Sequence, residues 1–434
     1  MVGNRADIQP RHNASFQTGP KAGATDFCME TTQILVKQPV TTPWFGFALC
    51  AVAYSFGGTA STLMATYLPV AVPQLLGKAA TEAEIGAVSA WVSAAFLYGW
   101  MAGGLLFGPI ADRIGRVRAL TVATAMCGLA MLATASVPLV LTLIIARILT
   151  GAGVGGILLV ATVYIAEVWP AQSRPVAIGV LSTMFPVGLI GTGALVGGIT
   201  NWKSAFFIGI IPVVMAGLIG WLLPESGVWK AGKNTVTALQ SPRLFDAANR
   251  PNVLAGAVIF GSVLIGLWGI FSWIPTWVQS LLPAGQSGQT ERSITFLLLG
   301  GGGILGSLLS GFLVSRLGPR RTLLLTFACC MLACGLLFLT NQTFSPVVYG
   351  ELALLSLFFG ISQGSLSSYV PDLFPAEIRA TASGFCFNIG RLFTATSVLF
   401  VGAMVVALGG YGNALTVFSA GFAVAFVVIW LRRH

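Results

Sequence analysis

Long apolar segments, separated by short polar loops, recur along the chain from residue 44 onward. Each segment has about 18 to 30 residues, so that as a helix it is long enough to cross a hydrocarbon layer of about 30 Å. Windows of about 20 residues predict helices near 44–72, 84–108, 118–136, 138–166, 175–198, 204–223, 253–282, 291–314, 320–340, 346–371, 379–407 and 411–431. The pattern therefore predicts an all-α membrane protein with twelve transmembrane helices.

The longest polar interruption divides these helices into two sets of six. It covers residues 225–252 and separates a predicted bundle at 44–224 from a second bundle at 253–431. Residues 1–43 and 432–434 form polar tails. The first tail has no apolar core of the kind that precedes a cleavage site, so we expect no cleaved signal peptide.

Lysine and arginine are concentrated on one side of the path that the helices predict. That side holds both tails and the linker, whereas the opposite side holds only Lys78, Lys203 and Arg292. Cytoplasmic loops carry the excess of positive charge in membrane proteins. Both termini are therefore predicted to be cytoplasmic, and the short loops are typical of a protein of the bacterial inner (plasma) membrane.

Two pairs of segments repeat at nearly the same offset. GPIADRIGRVR at 108–118 matches GFLVSRLGPRR at 311–321, and YIAEVWPAQSR at 164–174 matches YVPDLFPAEIR at 369–379. The two sets of six helices are therefore predicted to be pseudo-symmetric halves. Carriers built from such halves bind a solute between them near mid-membrane, and one chain then supplies the whole cavity as a monomer.

Composition narrows the possible functions. Charged residues make up 8% of the 434 positions and apolar residues 56%, which is far from the composition of a soluble domain. The net charge of +10 is scattered over short loops, so no nucleic-acid partner is expected. Seven cysteines without C-x-x-C spacing predict neither a disulfide nor a metal site. Both histidines, His12 and His434, lie in the tails, and we expect neither enzymatic activity nor a cofactor.

One loop carries a recognisable motif. GPIADRIGR has the pattern G-x-x-x-D-R-x-G-R, formed by Gly108, Asp112, Arg113, Gly115 and Arg116. With RILTGAGVGG at 147–156 and PESGVW at 224–229, it resembles the major facilitator superfamily, in particular the branch of sugar and organic-acid porters. This resemblance implies an alternating-access secondary transporter and a gating role for the loop, with a simple topological anchor as the alternative.

Further gating candidates follow from the repeat. The second copy of the loop has Ser315 and Arg316 where the first has Asp112 and Arg113, so the gate is predicted to be asymmetric. Two acid and base pairs bracket proline turns at the cytoplasmic side, and either an ion-pair latch or a static structural role is compatible with them. These pairs are Glu167 with Arg174 and Asp372 with Arg379.

Charges at membrane depth are the main candidates for contact with a solute, because burying them there is costly unless they line a cavity or find partners. They are Arg147, Glu351 and Arg391. Arg391, with Asn388 one turn before it, is the leading substrate contact because a guanidinium suits a carboxylate. A permanent internal partner for Arg391, such as Glu351 or backbone carbonyls, is the alternative. Arg147 is a candidate for substrate binding or for a conformational role.

Polar and aromatic side chains predict the rest of the cavity wall. The candidates are Tyr54 and Thr59 in the first helix, Trp268 and Trp273 in the seventh, and Gln363 in the tenth. Tyrosine and tryptophan combine a large apolar face with one hydrogen-bonding group. An interfacial belt for the tryptophans and contacts between helices for the polar residues remain alternatives.

The sequence predicts transport of a small organic solute, with an organic anion such as a carboxylate favoured by Arg391. Glu351 is the candidate for proton coupling, since it is the titratable group at depth. The first helix lacks the acid that the related proton symporters often carry there, which leaves coupling open. Efflux of hydrophobic or drug-like compounds, or a carrier-shaped sensor that does not transport, are the alternative functions.

Overall fold

The computed structural model describes residues 42–77, 80–232, 244–247, 249–283, 285–375 and 378–432. The two predicted tails, apart from residues 42, 43 and 432, and residues 233–243 and 248 of the predicted linker therefore lie outside the described residues. The predicted domain boundaries stay predictions.

The first half of the fold consists of long helices joined by tight turns. These are α1 (Thr42–Leu76), α2 (Glu82–Ile114), α3 (Arg116–Ala135), α4 (Val140–Val168), α5 (Arg174–Gly198), the short α6 (Trp202–Ala205), α7 (Ile210–Leu222) and the short α8 (Gly227–Gly232). A 3-10 turn at Phe206–Gly209 joins α6 to α7. Together, residues 202–222 form the sixth apolar segment.

The second half repeats this arrangement after the linker. Its helices are α9 (Arg250–Phe271), α10 (Ile274–Ser280), α11 (Gln289–Leu317), α12 (Pro319–Thr340), α13 (Val347–Tyr369), α14 (Arg379–Leu399), α15 (Val401–Leu408) and α16 (Tyr411–Leu431). Within the described residues, eleven helices are long and apolar enough to cross a membrane, and the bent pair α14 and α15 completes a twelfth span. The predicted all-α fold of twelve spans is confirmed.

Two predicted helices are broken in the structure. The helix expected at 253–282 stops at Phe271 and resumes at Ile274, because Pro275 has no amide proton to continue the helical hydrogen bonds. The helix expected at 379–407 bends by 45° around Phe400. Beyond this bend, Gly402 packs so closely on Gly86 of α2 that an added Cβ would lie 2.8 Å from the Gly86 carbonyl carbon.

The internal repeat appears in the backbone at corresponding turns. Gly115 joins α2 to α3 with φ of 109°, and Gly318 joins α11 to α12 with φ of 78°. Both have ψ of 157°, in a region that is essentially open to glycine alone. The same backbone shape at the same place in each half supports the pseudo-symmetry. We call the end of the bundle that carries these two turns the basic end.

The halves are in close contact at the opposite end of the bundle, which we call the sealed end. There the Ser293 hydroxyl donates a hydrogen bond to the carbonyl of Gly193 at 2.7 Å. The Gln289 side chain donates to the carbonyl of Val196 at 2.6 Å. These bonds join α5 to α11, and the contact of Gly402 with Gly86 joins α15 to α2. The sealed end therefore closes the space between the halves on that side.

A disulfide is expected to form across this seal when Gly197→Cys and Ser293→Cys are combined. A Cβ built on Gly197 lies 3.7 Å from the Cβ of Ser293, and disulfides join Cβ atoms about 3.5 to 4.5 Å apart. Mass spectrometry of peptides after mild oxidation measures the link. Gly198→Cys with Ser293→Cys is the matched control, since a Cβ at Gly198 has no atom within 4 Å. Equal linkage in both pairs would contradict the described contact of α5 with α11.

Candidate functional site

The Arg391 side chain lies between the two halves near the middle of the bundle. Its guanidinium carbon is 4.4 Å from the ring centre of Trp100 in α2 and 4.0 Å from that of Phe387 in α14. Only 8% of its surface is exposed. Among the residues that the structure describes, no side chain or carbonyl forms a hydrogen bond or ion pair with it. Its positive charge is therefore balanced only by aromatic faces and by the dipoles around it.

Polar atoms around Arg391 are also left without partners. The Asn388 amide donates to the carbonyl of Gly384 at 3.0 Å, but its Oδ1 is buried and accepts no hydrogen bond in the described structure, and Nε1 of Trp100 donates none. The Tyr54 hydroxyl is close enough to interact electrostatically with Arg391. Buried polar groups normally have partners, so this group of atoms has the capacity to bind a polar ligand.

The predicted neighbours Asn388 and Arg391 both face α2. A Cβ added to Gly104 would lie 3.1 Å from Oδ1 of Asn388 and 3.7 Å from Nη1 of Arg391. The absence of a side chain at Gly104 thus lets α14 present both groups to the interface. Any rocking of one half against the other must change this contact.

An aromatic layer lies next to Arg391. Trp100 stacks on Phe185 with ring centres 5.7 Å apart, and the edge of Trp268 approaches Trp100 at 5.1 Å. Trp268 and Phe185 are 6.1 Å apart. The three rings come from α2, α5 and α9, so this layer bridges the halves. Trp268 was predicted from the sequence, whereas Trp100 and Phe185 were missed because neither stands out within its apolar segment.

Arg147 is a second buried cation in the central region. It is 2% exposed and donates from Nη1 to the carbonyl of Ala60 at 3.0 Å. Its guanidinium carbon lies 4.3 Å from the ring centre of Phe96, and its Nε has no partner in the described structure. Arg147 also lines a small pocket together with Trp268. The two arginines predicted as substrate contacts therefore lie on either side of the same aromatic region.

The remaining predicted wall residues occupy different surroundings. The Thr59 hydroxyl donates to the carbonyl of Gly188 at 2.9 Å, in the contact of α1 with α5. Trp273 is fully buried and packs on Tyr411 at 5.9 Å. Gln363 has a buried Nε2 without a partner in the described structure. Contact of these three residues with a solute stays a prediction.

Glu351 lies near the start of α13, next to the end of α12. Its Oε2 accepts a hydrogen bond of 2.6 Å from Asn341. No contact with Arg391 is present in the described structure. The alternative in which Glu351 is the permanent partner of Arg391 is therefore not observed.

At the basic end, the predicted gating loop forms a network of charges. Arg116 pairs with Asp112 at 2.5 Å and with Glu167 at 3.0 Å. Glu167 and Arg174 do not pair in the described structure, since Arg174 donates to the carbonyl of Trp169 at 3.3 Å, and the choice between a latch and a static role stays a prediction. A guanidinium with two carboxylates is a strong, directional arrangement. It ties α2, α3 and α4 together within one half. The other motif residues lie within α2, where Arg113 is exposed and Gly108 faces Leu159 of α4.

Glu225 completes this network and was missed from the sequence. Its Oε1 accepts hydrogen bonds from the backbone amides of Arg116 at 2.8 Å and Val117 at 3.1 Å. A carboxylate at a helix N-terminus satisfies free amides and interacts favourably with the helix dipole. Its position in PESGVW was the available signal, but the sequence does not show that this segment folds back onto α3.

The second half has no equivalent acid network among the described residues. Ser315 donates to its own helix at the carbonyl of Phe312, 2.8 Å away. Arg316 lies over the Phe312 ring at 5.0 Å, and Arg379 donates to the carbonyl of Phe374 at 3.4 Å. Asp372 is exposed. The asymmetry predicted from Ser315 is present in these contacts, while the gating role itself stays a prediction.

Two pseudo-symmetric membrane bundles with buried cations between them define a solute carrier. The family model of the Major Facilitator Superfamily matches residues 47–398, and the chain belongs to this family. The family and the curated relatives below are transporters, which confirms the predicted class of protein and the expectation that it is not an enzyme.

Two curated relatives are similar over most of their length. One is the cis,cis-muconate transport protein of Acinetobacter baylyi, 27% identical over 80% of this chain and 86% of the relative. Another is the 3-(3-hydroxy-phenyl)propionate transporter of Escherichia coli, 27% identical over 79% of this chain and 83% of the relative. Among solved structures, a D-xylose-proton symporter aligns with a TM-score of 0.74 at 16% identity, covering 90% of this chain and 98% of the symporter. That likeness shows the fold.

Gly115→Ala is expected to lower the melting temperature more than Gly318→Ala. Both substitutions force a side chain into a backbone region that costs about 1 to 3 kcal/mol. At Gly115 the new Cβ would also lie 2.3 Å from Oε2 of Glu225, whereas a Cβ at Gly318 has no neighbour within 4 Å. Thermal unfolding of the purified variants in detergent measures the difference. Equal losses would mean that Glu225 is not held against this turn.

Proposed function

We propose that this protein moves a small organic anion across the membrane by alternating access, with the Arg391 guanidinium as the contact for a carboxylate. The observation that supports this most directly is the buried charge of Arg391, which has no acid partner among the described residues. Keeping such a charge at membrane depth costs several kcal/mol unless a partner arrives. A carboxylate supplies that partner and suits the planar fork of a guanidinium.

The surroundings of Arg391 favour an anion with a flat apolar body. Trp100 and Phe387 cover the guanidinium, and the layer of Trp100, Phe185 and Trp268 extends the apolar surface. Aromatic faces pack well against flat, unsaturated groups. The names of the two relatives, for a muconate and a phenylpropionate transporter, describe carboxylates with such bodies. Unsaturated and aromatic carboxylates are therefore the proposed substrate class.

The proposal includes an orientation. With the sealed end closed, the Arg391 site would be reached from the basic end, and the excess of Lys and Arg on that side supports a cytoplasmic location for it. Both termini would then be cytoplasmic, in a bacterial inner membrane, and one chain would suffice as a monomer. Proton coupling would depend on Glu351, since Asp112, Glu167 and Glu225 are held in the network around Arg116 and Asp372 is exposed.

Arg391→Gln is expected to weaken carboxylate binding roughly tenfold to a hundredfold, because a hydrogen bond to a charged group contributes about 1.5 to 3 kcal/mol. Binding is measured as the rise in melting temperature with cis,cis-muconate, gallate and 3-(3-hydroxyphenyl)propionate, against xylose and a hydrophobic amine. Arg391→Lys should retain part of the response, since it keeps the charge but loses the fork. Arg118→Gln removes the same charge from an exposed position and is the control.

The outcome of this experiment separates the candidate functions. A response to carboxylates that Arg391→Gln loses, while Arg118→Gln keeps it, supports an anion carrier. A response to the amine alone, equal in all variants, would instead support efflux of hydrophobic compounds and would give Arg391 a structural role.

The disulfide between Gly197→Cys and Ser293→Cys is expected to abolish transport but not binding. It holds α5 against α11 at the sealed end, so the halves cannot rock. Uptake of a labelled carboxylate into proteoliposomes should fall to background on oxidation and return after reduction, and the pair with Gly198→Cys should be insensitive. Saturable binding without any uptake by the reduced protein would contradict transport and favour a sensor.

A further inference from the structure

Arg147 faces a pocket that is separate from the Arg391 site. The residues that line it include Ser93, Phe96, Arg147, Trp268 and Ser272. Its lining comes from α1, α2, α4 and the break after α9, and it lies toward the sealed end. It has room for about one water molecule, so it is nearly closed in this conformation.

The polar groups of this pocket are suited to an anion. Arg147 uses one guanidinium nitrogen for the carbonyl of Ala60 and leaves Nε without a partner within the described part of the chain. The nearby Ser93 and Ser272 hydroxyls form no described hydrogen bond, and both can donate. No carboxylate of the described residues contacts Arg147. A buried cation with two hydroxyls and apolar walls matches a carboxylate that carries a small apolar body.

The two arginines are linked by aromatic rings. Phe96, which packs on Arg147, lies 5.6 Å from Trp100, and Trp100 carries Arg391 on its face. The rings of Phe96 and Trp100 therefore separate the two guanidinium groups. A solute bound at Arg391 has Arg147 as the next positive charge on its way to the sealed end, once these rings move.

We infer that Arg147, with Ser93 and Ser272, forms a second binding site for the carboxylate of the transported anion, on the sealed side of the aromatic layer. The anion passes from one guanidinium to the other as the halves rock, and each arginine serves the end of the bundle nearest to it. This inference rests on the proposed function and adds the second site to it. It assigns to Arg147 a contact with the solute rather than a purely structural role in α4.

The test separates the two sites by locking the conformation. In the oxidised protein with Gly197→Cys and Ser293→Cys, the dissociation constant of labelled 3-(3-hydroxyphenyl)propionate is measured for Arg147→Gln and Arg391→Gln. We expect Arg147→Gln to stay within twofold of the locked parent and Arg391→Gln to bind at least tenfold more weakly. Retained binding by Arg147→Gln also shows that this variant is folded.

The second measurement is the KM for uptake by the unlocked protein from each end. Intact cells offer the solute to the sealed end, and inverted vesicles offer it to the basic end, in the proposed orientation. Arg147→Gln should raise the KM from the sealed end at least tenfold and leave that from the basic end within twofold. Arg147→Lys, which keeps the charge, should raise the KM from the sealed end about threefold.

Two results would overturn the second site. An unchanged KM from the sealed end would make Arg147 structural, and an equal loss of binding by Arg147→Gln in the locked protein would mean that both arginines form one site. If neither the wild type nor the locked protein binds any of the tested carboxylates, the proposed function itself is contradicted.

Discussion

The burial of positive charge without a paired acid is the constraint on which the central region of this protein depends. Arg391 and Arg147 are 8% and 2% exposed, at a depth where an uncompensated charge is costly. Aromatic faces and one carbonyl lower this cost without removing it. In the proposed mechanism an anion supplies the missing partner, so that occluding the site is more favourable with the anion present. Binding and conformational change would then be coupled by this one electrostatic term.

Close helix packing makes that coupling effective. At the sealed end, Gly402 meets Gly86 and the Ser293 hydroxyl reaches the Gly193 carbonyl. Such contacts depend on small residues and short bonds, so a small rotation of one half breaks several of them together. Trp100, whose ring covers Arg391, belongs to α2, which runs from Gly86 at the sealed end to the basic end. A movement of either end of α2 is therefore expected to move this ring.

Much of this architecture was predictable from the sequence, because hydropathy reports which segments need lipid or protein around them. The span count and the repeat followed from local patterns, while the roles of Arg391 and Asn388 in binding stay predictions. The break before Pro275 was visible in principle. The roles of Trp100, Phe185 and Glu225 were not, since an aromatic residue in an apolar helix has no periodic signal that distinguishes a cavity from a core. Their positions depend on tertiary packing, which a single sequence does not display.

The turns at Gly115 and Gly318, both at the basic end, show how one duplicated element acquires different surroundings in the two halves. Gly115 and Gly318 keep the same unusual backbone, yet Glu225 fills the space beside the first turn and nothing lies within 4 Å of a Cβ at the second. In the second half, Arg320 instead donates to the carbonyl of Trp430 at 3.0 Å, at the end of α16. At the basic end, charges thus cross-link the first half, whereas the described residues of the second half form no ion pair there and are joined by hydrogen bonds such as those of Arg320 and Asn252. A rigid first half carrying Arg147 and a more adaptable second half carrying Arg391 follow from that difference, so the rearrangement that exchanges access is expected to fall mainly on α14 and its neighbours.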